Sequence, residues 1–84
     1  MQEPTLRAPL VAYFTAAEQE LASVLEQAQQ EGTLREGIKP TELAATLVAV
    51  VQGGYVLARA FQDPEQMRQA IRGALSLIDG IERR

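Results

Sequence analysis

Apolar residues return at alternating intervals of four and three along most of this chain, a period that predicts helices and not strands. In the first third, Leu10, Phe14, Ala17, Leu21, Val24 and Ala28 form one stripe, flanked by Tyr13 and Leu25. Glu18, Gln19, Gln27, Gln29 and Gln30 fall on the opposite face, which is therefore expected to be solvated. Pro9 suits a first helical turn and Gly32 suits the left-handed position beyond a helix end, so the spacing predicts a helix over about residues 8–31. Residues 32–39 read as a loop whose Leu34 and Ile38, apolar among polar neighbours, are expected to fold back over the end of the core.

A second helix is predicted from Pro40, whose fixed φ suits the first helical position, to about Phe61, with Glu42 placed favourably at the positive end of the dipole. Leu43, Leu47, Val50, Gly54, Leu57 and Phe61 repeat at four and three like the seam of a coiled coil. The other faces are also mostly apolar, which predicts a helix buried nearly all round. Gly53 and Gly54 each cost roughly 1 kcal/mol relative to alanine in a helix interior. Close helix crossing at Gly54 offsets that cost; the alternative is a point where the second helix bends.

Asp63-Pro64-Glu65-Gln66 reads as a third helix start, with Asp63 accepting from freed amides, Pro64 at the first position and Gln66 reaching back as in a capping box. So short a connection makes the second and third helices antiparallel neighbours. From Pro64 to Ile81, Met67, Ile71, Ala74, Ile78 and Ile81 form one stripe, and Ala70, Gly73, Ala74, Leu77 and Gly80 form a second, mostly of small residues. One stripe is expected to face the first two helices and the other a second chain. The predicted fold is thus all-α, a three-helix antiparallel bundle pairing into a four-helix dimer interface centred on Leu57, Phe61, Ala70, Gly73, Ala74, Leu77 and Ile78.

Composition narrows the chemistry. At 84 residues the chain makes one small domain, near the lower limit for a self-sufficient core, so a partner surface is expected. It has neither cysteine nor histidine, which removes disulfides and the usual zinc and transition-metal ligand sets. The same absence, with no glycine-rich phosphate loop and no carboxylate pair in an apolar setting, argues against an enzyme or a cofactor. Asp63 has a capping role, and Asp79 falls beside Arg83 near the chain end.

A net charge of -3 and scattered basic residues, Lys39 and arginines, predict no direct contact with nucleic acid. The uncharged run from Leu43 to Ala58 is shorter than the roughly 20 residues of a membrane span and contains Thr46, Gln52 and two glycines, so a buried helix is expected and no membrane. No basic segment followed by an apolar run opens the chain, which predicts a cytoplasmic protein.

Ala28, Gly32 and Leu34, then Pro40 with Leu43-Ala44, then Gln52-Gly53-Gly54-Tyr55-Val56-Leu57-Ala58-Arg59, then Asp63-Pro64 opening a last amphipathic helix, resemble the C-terminal domain of bacterial TetR-family transcriptional regulators. The resemblance runs from about Leu10 to Ile81 and implies a homodimer through the last two helices and a site for a small, usually apolar effector. Val48, Gln52, Tyr55, Val56 and Arg59 share one side of the second helix, and a ligand wall of Gln52, Tyr55 and Arg59, joined by Tyr13 and Phe14, is the corresponding expectation. The competing reading sends Gln52 and Arg59 to solvent or to a neighbouring helix end and keeps the two aromatics of the first helix as core. A whole regulator also has a helix-turn-helix half that enters the major groove. This chain carries none and is not expected to bind an operator by itself; an excised fragment and a natural lone domain are both compatible with Met1. A helical oligomerisation or adaptor module without a ligand is the alternative function.

Overall fold

Backbone hydrogen bonding at the helix ends sets out the architecture of the computed structural model, which describes residues 4–81. Helix α1 spans Pro4–Gln30, α2 Pro40–Phe61 and α3 Glu65–Ile81. The chain is all-α as its periodicity predicts, with no strand among the described residues.

Helix α1 starts earlier than expected: Pro4 opens it, and Pro9 lies inside. A proline in the first turn costs nothing because the N–H it lacks would be unpaired there; Pro9 instead gives up a helical bond that the continuing helix tolerates. The far end follows the sequence. Gly32 adopts φ +88°, the Thr33 N–H donates to the Ala28 carbonyl at 2.9 Å and the Gly32 N–H to the Gln29 carbonyl at 3.1 Å. This pair of bonds is a Schellman cap.

Pro40 begins α2 after an extended Lys39, and α2 ends in a second Schellman cap with Gln62 at φ 53°. There the Asp63 N–H reaches the Ala58 carbonyl at 2.9 Å and the Gln62 N–H the Arg59 carbonyl at 3.3 Å. A non-glycine residue in that region is uncommon, and the immediately following α3 start helps to fix it. Asp63 Oδ1 accepts from the Glu65 N–H at 3.0 Å and its carbonyl from the backbone N–H of Gln66 at 3.2 Å, while the Asp63 N–H that a capping box would give to the Gln66 side chain goes to the Ala58 carbonyl. Arg83, expected beside Asp79, lies outside the described residues.

Packing departs from the expectation of a second helix buried all round. Helix α2 packs against both α1 and α3, whereas α1 and α3 do not meet. Helix α2 thus lies between α1 and α3 and is the element that joins them. Two flanks of α2 are covered and its remaining faces are open, leaving Val51, Tyr55, Val56, Leu57 and Phe61 exposed. For the same reason the stripe of α3 expected to face both other helices meets only α2.

The buried positions are small. Ala44 of α2 is 1% exposed, Leu34 of the loop 4% and Ala22 of α1 7%, and Gly54 is buried as well. Small side chains let helix backbones approach, and Leu34 closes the loop end as its sequence context predicts. Every described residue of α1 from Leu6 to Tyr13 is exposed, so α1 engages α2 through its C-terminal half.

Candidate functional site: an apolar groove between α2 and α3

Helices α2 and α3 pack closely at Gly54. A methyl group built on its Cα would stand 2.8 Å from Met67 Sδ, 3.2 Å from Ala70 Cβ and 3.5 Å from Met67 Cα. A side chain here would have to displace the Met67 thioether and press on Ala70, so Gly54 lies in a close helix contact. Its neighbour Gly53 has nothing within 4 Å. The two adjacent glycines thus have different surroundings, although both sit in an otherwise apolar helix.

Beyond this crossing, toward the start of α2 and the end of α3, a groove of about 400 Å³ lies between the helices. Leu43, Leu47 and Val50 form one wall, Ala74, Leu77 and Ile78 the other, and Gly37, Ile38 and Lys39 close an end. The volume falls within the range of small-molecule sites, roughly 300–1,000 Å³. Thr46 also lines it, but its hydroxyl donates to the Glu42 carbonyl at 3.0 Å, leaving the methyl as the group it can offer an apolar neighbour. Lys39 and Glu42 stand at the rim with Nζ and Oε2 3.9 Å apart, both well exposed. The groove can hold an apolar body, and it has no arrangement of groups for bond-making chemistry.

Of the residues expected at a dimer contact, Ala74, Leu77 and Ile78 line this groove. Ala70 sits at the α2–α3 crossing, and Leu57 and Phe61 lie exposed on the same side of α2 as the groove wall. Gly73 is exposed with open space around it.

The expected ligand residues are dispersed. Tyr55 and Arg59 form a local pair on α2, with Arg59 Nη1 donating to Tyr55 Oη at 3.2 Å and the guanidinium carbon 5.7 Å from the ring centre. Gln52 is half-buried elsewhere on α2. Tyr13 and Phe14 meet edge to face with centres 5.2 Å apart. Phe14 lines a hollow with Leu6, Leu10 and Val11, but all its lining residues belong to α1, so it is a surface strip with one wall. Tyr13, Gln52, Tyr55 and Arg59 line neither this strip nor the groove.

Sequence reasoning treated Leu43, Leu47 and Val50 only as packing positions; their shared four-three register was the available signal for a wall. It also missed Gln29, assigned to the solvated face, whose Nε2 donates to the carbonyls of Arg35 and Ile38 and holds the loop that ends the groove.

Residues 1–74 match the family described as Tetracyclin repressor-like, C-terminal domain. The chain belongs to that family. Tetracyclin repressor-like C-terminal domains typically dimerise and bind effectors and are generally non-enzymatic, in keeping with a site that offers shape and apolar surface without catalytic groups. No curated protein and no solved structure matches the chain. Helix α2 is long and apolar enough to cross a membrane by length and composition; a single such helix, in a chain of this family, does not mark a membrane protein.

Proposed function

We propose that this tetracyclin repressor-like domain is the ligand-responsive and dimerising part of a cytoplasmic transcriptional regulator, acting without direct contact to nucleic acid. The observation that carries the reading is surplus surface. The chain exposes 6438 Å², whereas a compact monomer of 9.2 kDa exposes about 4,900 Å² by the mass–surface relation. The difference, about 1,500 Å², exceeds the roughly 800 Å² that each partner of a standard interface contributes. Much of the uncovered area is apolar, on the α2–α3 face and on the N-terminal half of α1.

The dimer half of this reading assigns a twofold contact to Leu57, Phe61, Ala70, Gly73, Ala74, Leu77 and Ile78, of which Leu57, Phe61 and Leu77 are large exposed apolar side chains. For the ligand half, Tyr55 and Arg59 on α2 and Tyr13 on α1 offer aromatic and polar groups on exposed surface, with Gln52 and Phe14 half-buried. Sedimentation velocity tests the proposal. The wild-type chain is expected to be dimeric at micromolar concentration, and Ala74→Arg, which puts a charge into the groove wall, is expected to shift it toward monomer. A well-folded dimer unchanged by that substitution would place the contact elsewhere, and a monomeric wild type would remove it.

A further inference from the structure

Helix α1 has one helical neighbour, α2, which buries or half-buries Ala17, Leu21, Ala22 and Leu25 and leaves the residues from Leu6 to Tyr13 exposed. The line of side chains that α2 covers continues along the uncovered part. Four-three spacing carries it from Leu25 and Leu21 through Glu18, Phe14, Val11 and Arg7. The open hollow there is lined by α1 alone, so it has one wall and no second. Glu18, grouped with the solvated face by its polarity, lines that wall too.

The wall reads the same from both ends. Arg7 and Glu18, Leu10 and Thr15, and Val11 and Phe14 are three pairs centred on one point, between Ala12 and Tyr13. If two copies of α1 pack antiparallel about a twofold axis through that point, each residue meets the other member of its own pair, because a twofold exchanges i with j and j with i. Val11 then lies against Phe14 of the second copy, a small side chain against a large one, and Leu10 against the methyl of Thr15. Arg7 meets Glu18 at both ends of the contact. Within one chain these two charges stand about 16 Å apart along the helix, too far to pair, and neither is in an ion pair among the described residues.

Surface suffices for such a contact. The surplus of about 1,500 Å² over a compact monomer approaches twice the roughly 800 Å² of a standard half-interface, so the α1 strip and the α2–α3 face need not share one patch.

We propose that the N-terminal half of α1 is a self-complementary contact for α1 of another copy of this chain, antiparallel and held in register by Arg7 and Glu18. It is independent of the α2–α3 contact. Where both form, the α1 pair joins dimers into larger assemblies; where the α2–α3 contact fails, it makes a dimer by itself. In either case it supplies one association step that Ala74→Arg leaves in place.

Sedimentation velocity over a concentration series at low salt tests this by charge reversal. Arg7→Glu sets like charges against each other at both ends of the contact, and so does Glu18→Arg. Each is expected to weaken that step by about tenfold. An equimolar mixture of the two variants, and the doubly substituted chain, restore it, because opposite charges face each other again. Should a reversed charge unfold the helix by circular dichroism, Val11→Cys mixed with Phe14→Cys replaces it: the chain has no cysteine of its own, and the mixture is expected to cross-link more than either variant alone.

Single reversals that associate like the wild type would overturn the proposal. So would weakened single variants that mixing does not restore, or a cysteine mixture that cross-links no better than its parts. A wild type with no association step beyond the one that Ala74→Arg removes would give the strip a different occupant, and would overturn the α1 contact while the α2–α3 dimer stands.

Discussion

The side-chain amide of Gln29 donates to the Ile38 carbonyl at 2.7 Å, and the same nitrogen reaches the Arg35 carbonyl at 3.1 Å. A residue of α1 thus ties down the loop that leads into α2, and with it the closed end of the groove. The amide is suited to this because it offers two N–H donors to two backbone acceptors.

Replacing Gln29 with alanine removes both bonds and leaves a part-buried carbonyl without its donor. The expected loss is about 1 kcal/mol, which for a domain of this size lowers the melting temperature by about 4–8 °C. Thermal denaturation followed by circular dichroism measures it. Gln29→Glu should cost more, because a carboxylate would face two carbonyls; a variant as stable as wild type would mean that the clamp contributes nothing.

Gly53 and Gly54 should respond in opposite directions to alanine. At Gly53 the added methyl meets open space, so the gain is the helix propensity difference of about 1 kcal/mol and the melting temperature rises. At Gly54 the methyl intrudes on Met67 and Ala70; overpacking costs about 1–3 kcal/mol and offsets or outweighs the same propensity gain. Equal melting temperatures for the two variants would contradict the crossing geometry.

Glu65 accepts from Arg72 and from Arg68, and those hydrogen bonds hold its carboxyl below the usual carboxylate pKa. A depressed folded-state pKa means that the stabilisation is fully present above the unfolded value and is lost as pH falls through the folded one. Glu65→Gln should therefore be slightly less stable than wild type near neutrality, with a flatter acid limb, and the two should converge as pH falls through the folded-state pKa. Because the cluster is exposed, salt should shrink the difference between wild type and variant. Urea titrations at several acidic pH values and two salt concentrations check both statements.

Tyr55→Ala and Arg59→Ala each break the pair formed by the phenol and the guanidinium. If this pair belongs to an effector site, small-molecule stabilisation measured by thermal shift should fall in both variants, with the sedimentation coefficient unchanged. Loss of helicity would instead assign the pair to folding.

Helix ends were the most legible part of the sequence. Gly32, Pro40 and Asp63 act through their own backbone and side-chain chemistry, and each does in three dimensions what its type and position predict. The start of α1 was less legible because two prolines, Pro4 and Pro9, compete for one role, and which of them opens the helix depends on residues beyond the local window. Which faces are covered was not legible on α2. Leu43, Val51, Val56 and Phe61 are equivalent to a hydrophobicity pattern, but coverage depends on where α1 and α3 lie, and that is decided by small residues such as Ala22, Ala44 and Gly54. Gln29 was misread for a related reason: nothing in its neighbours' periodicity marks a polar side chain whose partners arrive from a loop nine residues later.

Because α1 and α3 share no contact, the three helices are connected mechanically in series. A displacement that begins on α1 has no direct contact by which to reach α3; within one protomer it must be transmitted through the body of α2, from the half that holds Ala44 to the crossing at Gly54. Substitutions on α1 and α3 that leave α2 undisturbed should then be additive in their free energies, and coupling between those helices should appear or vanish with the stiffness of α2 alone.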